Sequence, residues 1–156
     1  RYFMERFEEE LKRSKLRNIH LSFIMVDVDH FKDINDKYGH LVGDHVLKEV
    51  GRIIRESVRE IDIVGRYGGE EFCVVLPDTD REGVRFAGER IRKAVESTAI
   101  KAYDITLNIT LSAGLTTFPE DGQAAQELMD KSDWALYRAK KNGRNCTCAF
   151  GIFSKD

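Results

Sequence analysis

Apolar positions in this chain change rhythm from segment to segment, and each rhythm predicts an element. Phe3, Phe7, Leu11 and Leu16 recur among charged residues over 1–17, the spacing of a helix with one narrow apolar stripe. Residues 21–26 form a short continuous apolar run, read as a buried strand that exits at Asp27-Val28-Asp29. Residues 30–38 read as a short helix or turn closed by Gly39. Val42, Val46, Leu47, Val50, Ile53, Ile54 and Val58 then recur at helical spacing over 42–59. Two apolar runs, 61–64 and 72–76, flank Gly68-Gly69, a hairpin signal because paired glycines supply the positive φ of a tight turn. Asp78-Thr79-Asp80 caps a helix that carries Val84, Ala87, Ile91, Ala94 and Val95 on one face. Residues 106–115 alternate, with Leu107, Ile109, Leu111, Ala113 and Leu115 on one side. Thr106, Asn108, Thr110 and Ser112 lie on the other, so a single strand with a solvent-facing polar side is expected. A last helix is expected over 123–141, stopped by Asn142-Gly143, followed by a closing strand at 146–150. Phe86, Trp134 and Tyr137, at helical spacing, are expected to pack.

The order contains a β-α-β-β-α-β core, the ferredoxin-like arrangement. It predicts an α+β (α/β) fold with a central, mostly antiparallel sheet flanked by helices. With no repeat, linker or low-complexity stretch, residues 1–156 read as one domain. The chain opens inside a helical pattern, which suggests a domain cut from a longer protein.

Composition narrows the function. With 156 residues, 42% hydrophobic and 33% charged, the chain can build one good core. A net charge of −2 offers no basic footprint for duplex nucleic acid. No stretch approaches a membrane span, so no direct membrane contact is expected. The three cysteines, Cys73, Cys146 and Cys148, have no zinc spacing and fit a reducing cytoplasm, with Cys73 a buried thiol.

The chemistry concentrates in two stretches. In residues 27–44, DVDHFKDINDKYGHLVGD, Asp27 and Asp29 stand where a buried strand ends and Lys32 follows within a turn. A second acidic pair, Glu70-Glu71, follows the hairpin glycines. Carboxylates at a strand end with a nearby lysine suit metal-assisted phosphoryl transfer, because Mg²⁺ takes a few carboxylate oxygens plus phosphate oxygens. A calcium EF-hand loop does not fit, since Phe31 and Lys32 stand where a ligand and a glycine are needed and the terminal Glu is missing. His30, His40 and His45 lack a fourth ligand at zinc spacing.

Together, residues 27–44 and Gly68-Gly69-Glu70-Glu71-Phe72 resemble the GGDEF family of diguanylate cyclases, in its GGEEF variant. The resemblance extends to Ser112-Ala113-Gly114-Leu115, to Ala135-Leu136-Tyr137-Arg138-Ala139-Lys140 and to Asn142-Gly143-Arg144-Asn145. It implies a fold like the palm of nucleotidyl cyclases and polymerases. It also implies condensation of two GTP molecules, on two domains meeting antiparallel as a homodimer, into cyclic di-GMP and pyrophosphate. Asp27, the Val28 carbonyl, Glu70 and Glu71 would hold Mg²⁺ or Mn²⁺, two ions per GTP site. Glu70 and Lys32 would be catalytic, with Glu70 as ligand or proton relay. Asn35 and Asp44 would read guanine, and Asp44 argues for GTP over ATP, because a carboxylate accepts from guanine N1–H and N2–H₂. Phe31, Lys32, Lys140 and Arg144 would meet phosphate.

Arg59 and Asp62 match the family's inhibitory RxxD motif, with five residues between Asp62 and Gly68 as in that motif. Arg59 would stack on and bond a product guanine, Asp62 would accept from its edge, and Arg90 would join them. The stretch that usually opens the family, D-x-L-T-G-L-x-N-R-R, does not occur here. An upstream sensor is therefore expected in the full protein, in the cytoplasm or as the cytoplasmic part of a membrane-anchored receptor. The competing reading is a catalytically silent module that serves as a receptor for GTP or cyclic di-GMP.

Overall fold

The computed structural model describes residues 2–151. Its elements are α1 (Tyr2–Arg17), β1 (Leu21–Val28), α2 (Phe31–Tyr38), α3 (His40–Ser57), β2 (Ile63–Arg66) and β3 (Glu71–Pro77). Then come α4 (Arg81–Glu96), β4 (Ala99–Ala102), β5 (Ile105–Asn108), β6 (Leu111–Phe118), α5 (Ala125–Lys141) and β7 (Thr147–Ala149). The first residue of the helix expected over 1–17, and the last residues of the expected domain, lie outside the described residues.

A five-stranded sheet in the order β2-β3-β1-β6-β7 forms the centre. Its pairs are antiparallel except β6 with β7. Strand alternation divides the apolar residues between two cores. Ile24, Val26, Val74 and Leu115 face a core built with α3 and α4. Phe23, Met25, Cys73 and Val75 face α1 and α5. Cys73 is the buried thiol that its strand position implied, and burial pushes its pKa up to about 12. Phe7 stacks flat on Phe23 at a centroid distance of 5.1 Å, which anchors α1. Leu16, on the expected stripe, is exposed, whereas Phe7 and Leu11 are buried and Phe3 packs against them.

Several expectations need correction. The run 106–115 is not one strand: it breaks after Asn108, and Ile105–Asn108 pairs with Ala99–Ala102 in a separate two-stranded sheet. β4 has no counterpart in the sequence reading, since four residues with only Ile100 and Ala102 buried leave a weak alternation signal. β6 is buried along its whole length because α4 packs on one side and α5 on the other. Its polar residues are therefore satisfied internally: Ser112 donates to Asp29, and Thr116 Oγ1 donates to the Leu128 carbonyl at 3.0 Å. Phe86, Trp134 and Tyr137 do not pack into a core but stand on the surface. Trp134 and Tyr137 stack on each other instead, with centroids 5.5 Å apart.

The hairpin between β2 and β3 forms where expected, but neither Gly68 nor Gly69 has a positive φ. The turn is held by Tyr67 N–H, which donates to the Glu71 carbonyl at 2.8 Å, and by Arg66, which donates to the Gly69 carbonyl at 2.7 Å. No described helix is long and apolar enough to cross a membrane.

Candidate active site

Asp27 sits at the end of β1, opposite Glu71 of β3 on one side and Ser112 of β6 on the other. The Val28 N–H donates to the Glu70 carbonyl at 3.3 Å, which ties the hairpin to the strand end. Asp27 is buried, and Lys140 from α5 donates to its Oδ2 at 2.6 Å. That is a charge-assisted bond. Burial, and then the negative charge of Asp27, raise the pKa of Glu70 above the usual carboxylate value. Glu71 is raised by the same two causes, and Asp133 adds to the effect; Lys140 opposes the rise in both. Asp133 itself is raised, first by burial. The sequence reading assigned Asp133 no role. Its signal was its place two helical turns before Lys140, hence on the same face of α5.

Asp27, Val28, Asp29, Glu70, Lys140, Arg144 and the start of α2 line a cleft of about 240 Å³. His30, which precedes α2, adopts a left-handed conformation with φ 58° and ψ 31°. No side chain caps α2, so its first N–H groups remain available beside the Phe31 and Lys32 that line the cleft. An uncapped helix N-terminus of this kind suits a phosphate. Lys32 is exposed and pairs with Asp36 at 3.1 Å. Arg144 is exposed, in the left-handed region at φ 65°.

Asp29 lines the same cleft but is committed to protein partners. Its two oxygens accept from Ser112 Oγ and Thr110 Oγ1, both at 2.7 Å, and from the Asn145 N–H at 3.0 Å. It is a structural carboxylate. Asn35 and Asp44 come from α2 and α3. The side-chain oxygen of Asn35 is buried and has no hydrogen-bond partner, while Asp44 is exposed. A methyl group added at Gly43 would lie 1.9 Å from that oxygen, so the absence of a side chain there leaves Asn35 its place.

Among the described residues, no three acidic, His or Cys side chains are already gathered as metal ligands. The donor set nevertheless fits a hard divalent cation. The charge of Asp27 raises the affinity of Glu70 and Glu71 for a positive charge, and carboxylate oxygen is the ligand that Mg²⁺ and Mn²⁺ prefer.

A second cavity, of about 370 Å³, lies elsewhere on the domain and brings together Arg59, Arg90 and His20. Asp62 is buried, and both of its oxygens hold Arg59: Oδ1 accepts from Nη2 at 2.8 Å, and Oδ2 from Nε at 3.2 Å and from the backbone N–H at 2.8 Å. Arg59 Nη2 also donates to the Pro77 carbonyl at 2.7 Å and to Thr79 Oγ1 at 2.8 Å. Arg55 donates to the carbonyls of both Arg59 and Asp62, which fixes the intervening turn. Arg90 donates to the Ser57 carbonyl at 2.7 Å. Local RxxD spacing explains the Arg59–Asp62 pair; His20 enters the cavity only through the tertiary fold.

The chain is similar in sequence and fold to known proteins. Residues 1–146 match the family model described as diguanylate cyclase, GGDEF domain. Diguanylate cyclase A of Treponema denticola is 45% identical over 125 residues, covering 80% of this chain and 34% of that protein. The chain thus spans about a third of the length of that curated relative. The active GGEEF domain of a diguanylate cyclase from Vibrio cholerae superposes with a TM-score of 0.89 at 33% identity, over 96% of this chain and 94% of that one. The GGDEF domain of DgcB from Caulobacter crescentus, solved in complex with c-di-GMP, superposes at 0.87 with 29% identity, over 96% and 86%.

Proposed function

The chain belongs to the GGDEF family of diguanylate cyclases, and on that footing we propose that it condenses two GTP molecules into cyclic di-GMP and two pyrophosphates. One observation carries the reading: Asp27, Glu70 and Lys140 converge on a cleft that also receives the uncapped N-terminus of α2. Carboxylates, a cation and free N–H donors in one cleft are what a triphosphate and its counter-ions require.

In this reading Lys140, Lys32, Arg144 and the first N–H groups of α2 bind the triphosphate. Asn35, with its unpartnered oxygen, and Asp44 accept from guanine N1–H and N2–H₂. The 3′-oxygen of each ribose attacks the α-phosphorus of the other GTP; two P–O bonds form, and two break as pyrophosphate leaves. Glu70, whose environment raises its proton affinity, takes the hydroxyl proton and passes it to water. Asp27, the Val28 carbonyl, Glu70 and Glu71 would hold Mg²⁺ or Mn²⁺, two ions per GTP, which when bound neutralise phosphate charge and acidify the attacking hydroxyl. Each domain presents only one of the two reactants, so a second copy is needed to align them.

The Arg59 and Arg90 cavity is the site for product inhibition in the same reading. Its two guanidinium groups suit the guanines and phosphates of a cyclic dinucleotide, and buried Asp62 holds Arg59 in place. The setting is the cytoplasm, where GTP is available, under the control of an upstream sensor.

Incubation with GTP and Mg²⁺ at rising protein concentration, with products separated by chromatography, tests the reading. Cyclic di-GMP is expected to rise more steeply than linearly with protein. GTP binding without product, on a forced dimer, would overturn catalysis in favour of a nucleotide receptor.

A further inference from the structure

Arg144 and Asn145 are consecutive non-glycine residues in the left-handed region, at φ 65° and 48°. A pair of this kind is strained and persists only where its surroundings impose it. Here two elements, the end of β1 and the C-terminal part of α4, converge on Asn145. Its N–H donates to Asp29 Oδ2 at 3.0 Å, at the end of β1. Its side-chain nitrogen donates to Glu96 Oε2 at 2.7 Å, and its side-chain oxygen accepts from Arg92 Nη1 at 2.8 Å, both at the end of α4.

Arg92 is itself immobilised. It grips both oxygens of Glu89, each at 3.0 Å, and reaches Glu96 Oε1 at 3.1 Å. Asp29 is held in turn by Thr110 and Ser112. The preceding residue, Arg144, is tied through its N–H to the Ala139 carbonyl at 3.1 Å. The Arg144 side chain has no hydrogen bond or ion pair among the described residues, and it lines the cleft. The network therefore braces a backbone turn and ends in one uncommitted guanidinium facing the proposed phosphate site.

We propose that Arg92, which lines no part of that cleft, is a positioning residue for the outer phosphates of the nucleoside triphosphate. Acting through Asn145, it fixes the left-handed turn that aims Arg144 at them. The inference rests on the reading above, in which Arg144 meets phosphate. Asparagine suits position 145 because it tolerates the left-handed region while offering both a donor and an acceptor to α4. A lysine at 92 carries all its donors on one nitrogen and lacks the planar fork with which Arg92 grips both oxygens of Glu89 while reaching Asn145.

The test measures dissociation constants for GTP and for GMP, which lacks the outer phosphates. The full 156-residue chain is compared with Arg144→Ala, Arg92→Ala, their double variant and Asn145→Gly. Each single substitution is expected to weaken GTP about tenfold, the worth of one charge-assisted contact, and to leave GMP unchanged. The double variant is expected to be no weaker than either single, because both remove the same contact. Asn145→Gly keeps Arg92 and α4 intact, so an equal loss there shows the effect is not a folding defect of Arg92→Ala. Additive losses, or equal losses for GTP and GMP, would overturn the positioning role while the phosphate reading stands. Undiminished GTP affinity in Arg144→Ala would overturn both.

Discussion

Lys140 Nζ lies 2.6 Å from Asp27 Oδ2, although 113 positions separate the two residues in the chain. The ammonium does two things at once: it neutralises Asp27, and it restrains the rise in pKa of Glu70 and Glu71. For Lys140→Ala we expect turnover to fall about a hundredfold, as for loss of one charged group at a developing anion. The sign of the accompanying pH effect follows from the carboxylates. Without the lysine Glu70 binds its proton more tightly, so activity that needs ionised Glu70 fails at a higher pH as the solution is acidified. A pH profile of kcat/KM whose acid limb stays in place would contradict this coupling.

Glu70 also links the site to stability. Its folded-state pKa lies above the ordinary value, first through burial and then through Asp27, so its ionised form is a net cost to the fold. That cost is absent where the carboxyl is protonated in both states, grows as pH rises above the ordinary carboxylate value, and is complete above the raised one. Glu70→Gln should therefore raise Tm at neutral pH, by about 2 °C given the solvent screening of a half-exposed group. The gain should vanish at acid pH. Equal gains at both pH values would refute the electrostatic cause.

Gly43 is the point where α3 makes room for Asn35, since a Cβ there would stand 1.9 Å from the Asn35 side-chain oxygen. Gly43→Ala is expected to displace Asn35 and raise KM for GTP about tenfold, the scale of one lost hydrogen bond to a base. A lower melting temperature is expected alongside, because the same Cβ would stand 3.1 Å from the buried Phe31 ring. An unchanged KM would remove Asn35 from guanine recognition.

Gly114 tests the packing that carries Lys140 to the sheet. A Cβ there would meet the Ser132 carbonyl oxygen at 2.0 Å and the Leu136 nitrogen at 2.5 Å, both backbone atoms of α5. Neither can swing aside. Gly114→Ala should cost about 2–4 kcal/mol in urea unfolding. A loss below 1 kcal/mol would mean that α5 shifts off β6 at little cost.

Much of the architecture was legible because it rests on local periodicity. Val42 through Ile54 mark α3 by helical spacing, and Asp80 caps α4 by accepting from the Gly83 N–H at 2.8 Å, as its residue type suggested. Strand 106–115 was misread for a physical reason. Alternation shows that one side chain in two is polar, but not whether a helix or water covers that side. At Ser112 and Thr116 the cover is protein, and the polar groups are bonded within it. Trp134 and Tyr137, expected to pack, stack on each other at the surface, since helical spacing records a face and not what lies against it.

The site divides along the same line. Sequence alone determined the acidic hairpin after Gly68-Gly69, the RxxD turn and the strand-end aspartates, because each lies within a few residues of its neighbours. Only the tertiary structure distinguished Asp27 from Asp29, giving one to Lys140 and committing the other to Thr110, Ser112 and Asn145. It alone placed His20 beside Arg59 and Arg92 behind Asn145. Those pairings join residues far apart in the chain, and they are set by how α4 and α5 pack across β6, which no local pattern encodes.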